Sequence, residues 1–213
     1  MGPIAITQGA HRVLSLAAAA ALAAALVILP ATIPVSTAPL IPAASAACPD
    51  AEVVFARGRQ EPPGVGAVGD ALVNSVRSKV GMSVGVYGVN YPADLSASSG
   101  ANDIRAHVQS MAESCPNTRI VIGGYSLGAT AADLATRVKL PPGTDQHIAA
   151  VALFGNAAHR LGPAPAFAGR TIDQCADGDP ICGSGVNWPS HLQPSYLGSG
   201  LVDQAASFIA GTL

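Results

Sequence analysis

Short apolar runs and longer amphipathic segments alternate along residues 48–213 of this chain. Most of these runs are brief and rich in apolar residues, which is typical of buried strands. The segments between them place apolar residues at helical spacing, as Val68, Leu72 and Val76 do. We therefore predict strands at Ala51–Ala56, Val84–Val89, Arg119–Gly123, Ala149–Gly155 and Arg170–Gln174, and helices at Val65–Val80, Ala101–Ser114, from Ser126 to near Leu140, and at about Leu201–Ala210.

The order of these elements indicates an α/β fold. Nearly continuous apolar strands joined by crossover helices are typical of a mainly parallel sheet that is covered on both faces. Asn102 is the predicted N-terminal cap of the second helix. Gly-, Pro- and Ser-rich loops are predicted at Gln60–Gly66, Ala93–Gly100 and Gly183–Gly200.

The first 47 residues have the composition of a secretory signal rather than of a folded domain. Arg12 precedes an apolar, alanine-rich run from Val13 to Leu29, and a Pro/Ala/Thr-rich spacer follows. The stretch ends in small residues, with cleavage expected at either Ala44-x-Ala46 or Ser45-x-Ala47. A retained membrane anchor is the alternative, but the run is a little short and alanine is a weak membrane former. We expect a protein that is secreted or associated with the cell wall.

Composition gives no support for a nucleic-acid partner and indicates a single domain. Residues 1–47 hold one Arg and no Asp or Glu, so the remainder carries ten basic and thirteen acidic residues. This remainder has no basic cluster, and nucleic-acid binding therefore has no electrostatic support. Residues 48–213 are enough for one domain with a single good core.

Four cysteines, all in the predicted mature part, indicate disulfide bonds. Cys48, Cys115, Cys175 and Cys182 form an even set in a chain predicted to be exported. Three pairings are possible; we favour Cys175–Cys182 as a short loop clamp and Cys48–Cys115 as a tether for the N-terminus. A zinc site is the alternative, but Cys-x6-Cys is not a usual zinc spacing. We expect no metal and no cofactor.

The pentapeptide Gly124–Gly128, with sequence Gly-Tyr-Ser-Leu-Gly, is the strongest chemical signal in the chain. It follows the apolar run Ile120–Ile122 and precedes a helical segment, which is the strand–turn–helix context of a nucleophile elbow. Such a sharp turn strains the serine backbone, and side chains two residues to either side would collide, which explains the glycines. We therefore predict Ser126 as the nucleophile.

A serine nucleophile needs a histidine base and a carboxylate that orients it. In α/β-hydrolases the chain order is Ser, then Asp or Glu, then His. His191 lies beyond the last predicted strand and is the preferred base, whereas His147 and His159 are expected to be solvated loop residues. The candidate carboxylates are Asp173, Asp177 and Asp179. We prefer Asp179, because a disulfide at both ends of its loop and the adjacent Pro180 would hold it still.

Several motifs together resemble the cutinase family, in particular the secreted cutinase-like esterases and lipases of actinobacteria. They are Gly124–Ala129, the loop Cys175–Cys182, and Phe55–Gly58 with Glu61–Pro62. The likeness covers about Cys48 to Leu213. It implies a small lidless α/β-hydrolase with a five-stranded, mainly parallel sheet flanked by helices on both faces. It also implies the two disulfides in the pairing favoured above and a triad on Ser126, Asp179 and His191.

The resemblance also assigns an oxyanion hole, and there the chain departs from the family pattern. The backbone N–H groups of Arg59 and Leu127 map onto the two donors. Family members usually have Ser or Thr where Arg59 stands, and Gln where Leu127 stands. Backbone donors survive both changes, whereas an auxiliary hydroxyl donor would be lost, and loss of one donor costs about 100-fold or more in turnover. Arg59 could instead meet an anionic group on a substrate, such as a phospholipid head.

The leading hypothesis is a monomeric serine esterase acting on carboxylic esters of short-to-medium acyl chains or on lipids, with transient contact with a lipid or cell-envelope surface. One alternative is a weakly active or non-catalytic secreted or cell-wall protein on the same scaffold. Another is an acyltransferase that passes the acyl group to an alcohol. The sequence leaves acyl length and the choice between hydrolysis and transfer open.

Overall fold

The computed structural model describes residues 48–213. The predicted signal peptide and spacer, residues 1–47, lie outside the described residues. In the described part of the chain, no helix is both long enough and apolar enough to cross a membrane.

A five-stranded parallel sheet forms the centre of the molecule, as the sequence predicts. Its strand order is β2-β1-β3-β4-β5, and every neighbouring pair is parallel. The three central strands are buried almost throughout because helices cover both of their faces. The strands are β1 (Ala51–Ala56), β2 (Val84–Gly88), β3 (Arg119–Tyr125), β4 (Ile148–Phe154) and β5 (Thr171–Gln174).

Two apolar cores lie on opposite faces of the sheet. Val54, Ile104 and Ala132 belong to the core under the second and third helices. Phe55, Leu72 and Ile209 belong to the core under the first and last helices. The helices are α1 (Gly66–Lys79), α2 (Ala97–Ser114), α3 (Leu127–Arg137), α4 (Trp188–His191), α5 (Gln193–Gly198) and α6 (Leu201–Ala210), with short 3-10 turns at Thr144–His147, His159–Leu161 and Pro165–Arg170.

The predicted start of α2 is wrong. The helix begins at Ala97, and Ser96 is its cap, accepting a hydrogen bond from the N–H of Ser98 at 3.3 Å. Asn102 lies inside the helix and accepts from the Arg105 side chain instead. Packing explains the longer helix: Gly100 is buried, and a Cβ there would lie 3.1 Å from the Ala131 side chain on α3. Tertiary contact thus favours helix where the local sequence does not.

Both favoured disulfides are present. Cys48–Cys115 ties the start of the described chain to the end of α2, with 5.5 Å between Cα atoms. Cys175–Cys182 closes the loop after β5, with 5.7 Å between Cα atoms. The predicted loop Gly183–Gly200 differs from expectation, because it contains the two short helices α4 and α5. These helices position the histidine described next.

Candidate active site

Ser126 lies in a strained turn between β3 and α3. Its backbone angles are φ 55° and ψ −116°, in a region that non-glycine residues rarely adopt. The flanking glycines are required by space: a Cβ on Gly124 would overlap the backbone of Gly128, and a Cβ on Gly128 would overlap the Ala56 carbonyl. The turn therefore has the geometry that the Gly-x-Ser-x-Gly pattern predicts. Ser126 itself is partly exposed to solvent.

The structure brings the three residues predicted for the triad into one hydrogen-bonded chain. Ser126 Oγ lies 2.8 Å from His191 Nε2, and His191 Nδ1 lies 2.8 Å from Asp179 Oδ2. His191 is 5% exposed and Asp179 is 1% exposed, so water competes little for the inner bond. This is the order of contacts through which a carboxylate orients a base that faces a serine.

Asp179 is held by contacts on both of its carboxylate oxygens. Oδ1 accepts from the N–H groups of Ile181 at 2.7 Å and Cys182 at 3.3 Å. Oδ2 accepts from the Tyr196 hydroxyl at 2.5 Å, in addition to its contact with His191. Burial opposes ionisation of Asp179, but the hydrogen bonds from Tyr196, His191 and Ile181 outweigh it and lower its pKa. The group is therefore a carboxylate at neutral pH.

Two tyrosines that sequence analysis missed support the histidine and the aspartate. The Tyr125 hydroxyl donates to the backbone carbonyl of His191 at 2.5 Å, and its ring stacks on the imidazole with centroids 5.9 Å apart. Tyr196 is fully buried and touches Tyr125 edge-on. Burial raises the pKa of both hydroxyls above the usual value, so both remain donors. A tyrosine within an apolar pattern is the one signal that could have drawn attention to them.

The other candidate residues lie outside this chain of contacts. Asp177 is exposed. His147 ends a 3-10 turn just before β4, at the sheet edge opposite Ser126. His159 begins a short 3-10 turn and is partly exposed, and its Nδ1 lies 3.1 Å from the Asp173 carboxylate. Burial raises the pKa of Asp173, while contacts with His159 and Asn156 oppose the shift.

The two predicted oxyanion donors are uncommitted N–H groups. Leu127 is the first residue of α3, where backbone N–H groups have no partner within the helix. In the loop after β1, Gly58 N donates to Glu61 Oε2, Gln60 N donates to the Ala93 carbonyl, and Glu61 N donates to the Gly58 carbonyl. Within residues 48–213, the Arg59 N–H has no acceptor.

A cavity of about 790 Å³ opens beside this loop, with Arg59, Gln60 and Gln193 in its lining. Trp188, in α4, has an exposed side chain, and its ring centroid lies 5.3 Å from that of His191. A more apolar cavity of about 510 Å³ lies at the C-terminal end of α3, away from Ser126.

The donor set gives no support for a metal at the site. Cys175, Asp179 and Cys182 form the one close group of candidate metal ligands found in residues 48–213. Both sulfurs are joined in the disulfide and offer no thiolate.

Comparison with known proteins decides the family. The Cutinase family profile matches residues 47–213 of this chain. The chain is a member of the cutinase family. Its cutinase relatives include "Probable carboxylesterase Culp2" of Mycobacterium tuberculosis (strain ATCC 25618 / H37Rv), which is 53% identical over 95% of this chain and 97% of that protein. "Phospholipase Culp4" of the same strain is 48% identical over 96% of this chain and 93% of that protein.

Solved cutinase structures share the fold. A Trichoderma reesei cutinase, solved in complex with a C11Y4 phosphonate inhibitor, superposes with a TM-score of 0.69 at 34% identity. The match covers 78% of this chain and 77% of that one. The small α/β-hydrolase fold expected from the sequence is therefore confirmed.

Proposed function

We propose that this protein is a secreted serine esterase that cleaves carboxylic esters through an acyl-enzyme formed on Ser126. The broader class, a carboxylic ester hydrolase, follows from the family and from its relatives named as carboxylesterases and a phospholipase. The observation that carries the finer proposal is the unbroken chain of contacts from Ser126 through His191 to Asp179. No other serine, histidine and aspartate in the described part of the chain are joined in this way.

The proposed reaction begins with proton transfer from Ser126 Oγ to His191 Nε2 as the oxygen attacks the ester carbonyl. The carbonyl oxygen becomes an oxyanion, which accepts hydrogen bonds from the N–H groups of Leu127 and Arg59. His191 then donates its proton to the alkoxide leaving group, so an alcohol departs and the acyl-enzyme remains. A water molecule, deprotonated by His191, repeats the sequence and releases the acid.

Asp179 has the electrostatic role in this scheme. Its lowered pKa keeps it charged when His191 accepts the proton, so the imidazolium forms next to an anion. The bond to Nδ1 also fixes the tautomer that leaves Nε2 free to accept. The partly exposed serine and the cavity beside Arg59 suit an ester presented from solvent or from a lipid surface.

We also propose that residues 1–47 direct export and are removed. The support is the apolar run with its small-residue end. The two disulfides add to this, because such bonds persist in oxidising compartments.

Hydrolysis of p-nitrophenyl esters of increasing acyl length tests the proposed activity. We expect turnover on neutral esters, a preferred chain length, and loss of activity in Ser126→Ala. Adding a primary alcohol as a competing acceptor distinguishes the acyltransferase alternative, for which ester exchange would exceed hydrolysis. Absence of turnover at every chain length would favour the non-catalytic alternative.

A further inference from the structure

The carboxylate of Glu61 joins three separate segments beside the proposed oxyanion hole. Its Oε2 accepts from the N–H of Gly58 at 2.5 Å. Its Oε1 accepts from the N–H of Ala67, in the first turn of α1, at 3.1 Å and from the Gln193 side chain at 2.6 Å. Gln193 begins α5, two residues after His191. One side chain therefore contacts the loop after β1, the start of α1 and the segment that carries the histidine.

Two glycines leave the space that this carboxylate occupies. A Cβ on Gly58 would lie 2.9 Å from Glu61 Oε2, and a Cβ on Gly66 would lie 2.6 Å from the same oxygen. Gly66 has φ 71°, in the left-handed region that favours glycine. The cap residue of α1, Val65, has no side-chain acceptor for the helix N–H groups. Glu61 supplies that acceptor, and its negative charge suits the positive end of the helix.

Glu61 contacts the peptide groups on both sides of Gly58. Its carboxylate holds the N–H of the Arg57–Gly58 peptide. Its own N–H donates at 3.3 Å to the Gly58 carbonyl, which belongs to the same peptide group as the Arg59 N–H. Restraining both groups limits the backbone rotation at Gly58 that would turn the Arg59 N–H away. The turn is also strained, because Gln60 has φ 63°. Such a conformation persists only where surrounding contacts hold it.

The backbone on the other side of the turn is held independently. The buried Arg57 side chain donates from Nε to the Glu61 carbonyl at 2.8 Å and from Nη2 to the Tyr91 carbonyl at 2.7 Å. It makes no contact with Gly58 N–H. The Glu61 side chain therefore holds the Gly58 N–H, which the Arg57 side chain does not contact.

We propose that Glu61 is a positioning residue for the oxyanion hole: its carboxylate anchors the backbone at Gly58, so that the Arg59 N–H on the next peptide group faces the reacting carbonyl. Through Gln193 it also links this loop to the segment that carries His191. This role rests on the proposed function, because an oxyanion must form at Ser126 for the position of the donor to matter. Stabilisation of α1 alone is the alternative role for the same contacts.

Loss of the positioning role would lower kcat and inhibitor affinity, whereas loss of a role in stabilising α1 alone would lower only the melting temperature. Glu61→Met keeps a side chain of similar length and removes all three acceptor contacts, while Glu61→Gln retains one oxygen acceptor. The control is Asp203→Asn, which removes charge from an exposed carboxylate that binds Lys79 at 2.8 Å and Ser75 at 2.9 Å on α1, remote from Ser126. All variants are compared with the wild type as kcat per active site, titrated with a fluorophosphonate.

We expect Glu61→Met to lower kcat about tenfold or more with KM within about twofold, because the oxyanion forms only in the transition state. Affinity for a trifluoromethyl ketone, which adds to the serine as an oxyanion, should fall by the factor by which kcat/KM falls. For Glu61→Gln, kcat and inhibitor affinity should lie between those of Glu61→Met and the wild type. Asp203→Asn should leave kcat and inhibitor affinity unchanged.

Amide hydrogen exchange at Gly58, followed by NMR, gives a readout that does not depend on activity. The Gly58 amide should be protected in the wild type and in Asp203→Asn, and should exchange faster in Glu61→Met. A fall in melting temperature with unchanged kcat and inhibitor affinity, or protection of Gly58 that survives in Glu61→Met, would overturn the positioning role. Failure of the proposed function would be recognised separately, as equal ester hydrolysis by the wild type and Ser126→Ala.

Discussion

Tyr196 donates its hydroxyl hydrogen bond to the same oxygen of Asp179 that faces His191. The Tyr196 Oη to Asp179 Oδ2 distance is 2.5 Å, and His191 Nδ1 lies 2.8 Å from that oxygen. The Tyr196 hydroxyl also accepts from the N–H of Ala176 at 3.3 Å, next to Cys175. The last part of the chain before α6 thus fixes both the position and the charge of the carboxylate.

We predict that Tyr196→Phe destabilises the protein by about 1–3 kcal/mol at neutral pH, because a buried charge-assisted hydrogen bond is lost. The pKa of Asp179 is lowered in the fold, so its ionised form contributes stability above the unfolded value of 3.8 and loses that contribution as the pH falls through the lower folded value. The difference between mutant and wild type should therefore shrink in acid. Urea unfolding across this pH range measures it; a difference that is constant or grows in acid would contradict the account.

Asp179→Asn should lower kcat about 1000-fold or more, because the amide leaves His191 in the wrong tautomer or orientation. Asp177→Asn, two residues away on an exposed position, is the matched control and should change kcat less than twofold. Steady-state kinetics of both variants on one neutral ester decide which aspartate orients the histidine. Similar losses in both variants, or the reverse order, would transfer the role to Asp177.

We predict that Cys48–Cys115 contributes more to stability and that Cys175–Cys182 contributes more to activity. The chain-entropy relation gives roughly 4 kcal/mol for Cys48–Cys115 and roughly 2.5 kcal/mol for Cys175–Cys182, because the sequence separations are 67 and 7. Replacing the first pair by Ser should therefore destabilise more, while replacing the second should lower kcat more, since it frees the loop holding Asp179. Denaturant unfolding and kinetics on both double mutants test this. Mass spectrometry that finds four free thiols in the secreted wild type would contradict both disulfide bonds.

Arg59→Ser or Arg59→Thr should raise kcat on neutral esters, by up to about tenfold, because a hydroxyl there would add a donor aimed at the oxyanion. The gain should appear in kcat rather than KM. Gln60→Ala is the companion variant, since the Gln60 side chain is the neighbouring candidate for that donor. No gain from either substitution, with a large loss in Gln60→Ala, would show that the neighbouring residue completes the oxyanion hole.

Local pattern was sufficient to predict the sheet and the triad geometry. The apolar runs identify the three central strands because these are buried on both faces. The disulfide loop favours Asp177 and Asp179 over Asp173, and the adjacent Pro180 favours Asp179. Ser126, Asp179 and His191 lie as their motif and chain order predict, and their catalytic roles stay proposals.

Contacts between distant segments were not predictable in this way. Tyr125 and His191 are 66 positions apart, and Glu61 and Gln193 are 132 positions apart, so no spacing rule relates them. The start of α2 at Ala97 depends on close packing of Gly100 against α3, which local propensity does not report. The pairing of His159 with Asp173 likewise needs the fold to bring the end of β4 beside β5.

Covalent labelling tests most directly whether Ser126 is the nucleophile. The purified, disulfide-bonded protein is treated with a fluorophosphonate, and the modified peptide is located by mass spectrometry. We expect one adduct per molecule, on Ser126, formed rapidly in the wild type and far more slowly in Asp179→Asn. No adduct under these conditions, or an adduct on a different residue, would contradict the assignment of Ser126 as the nucleophile.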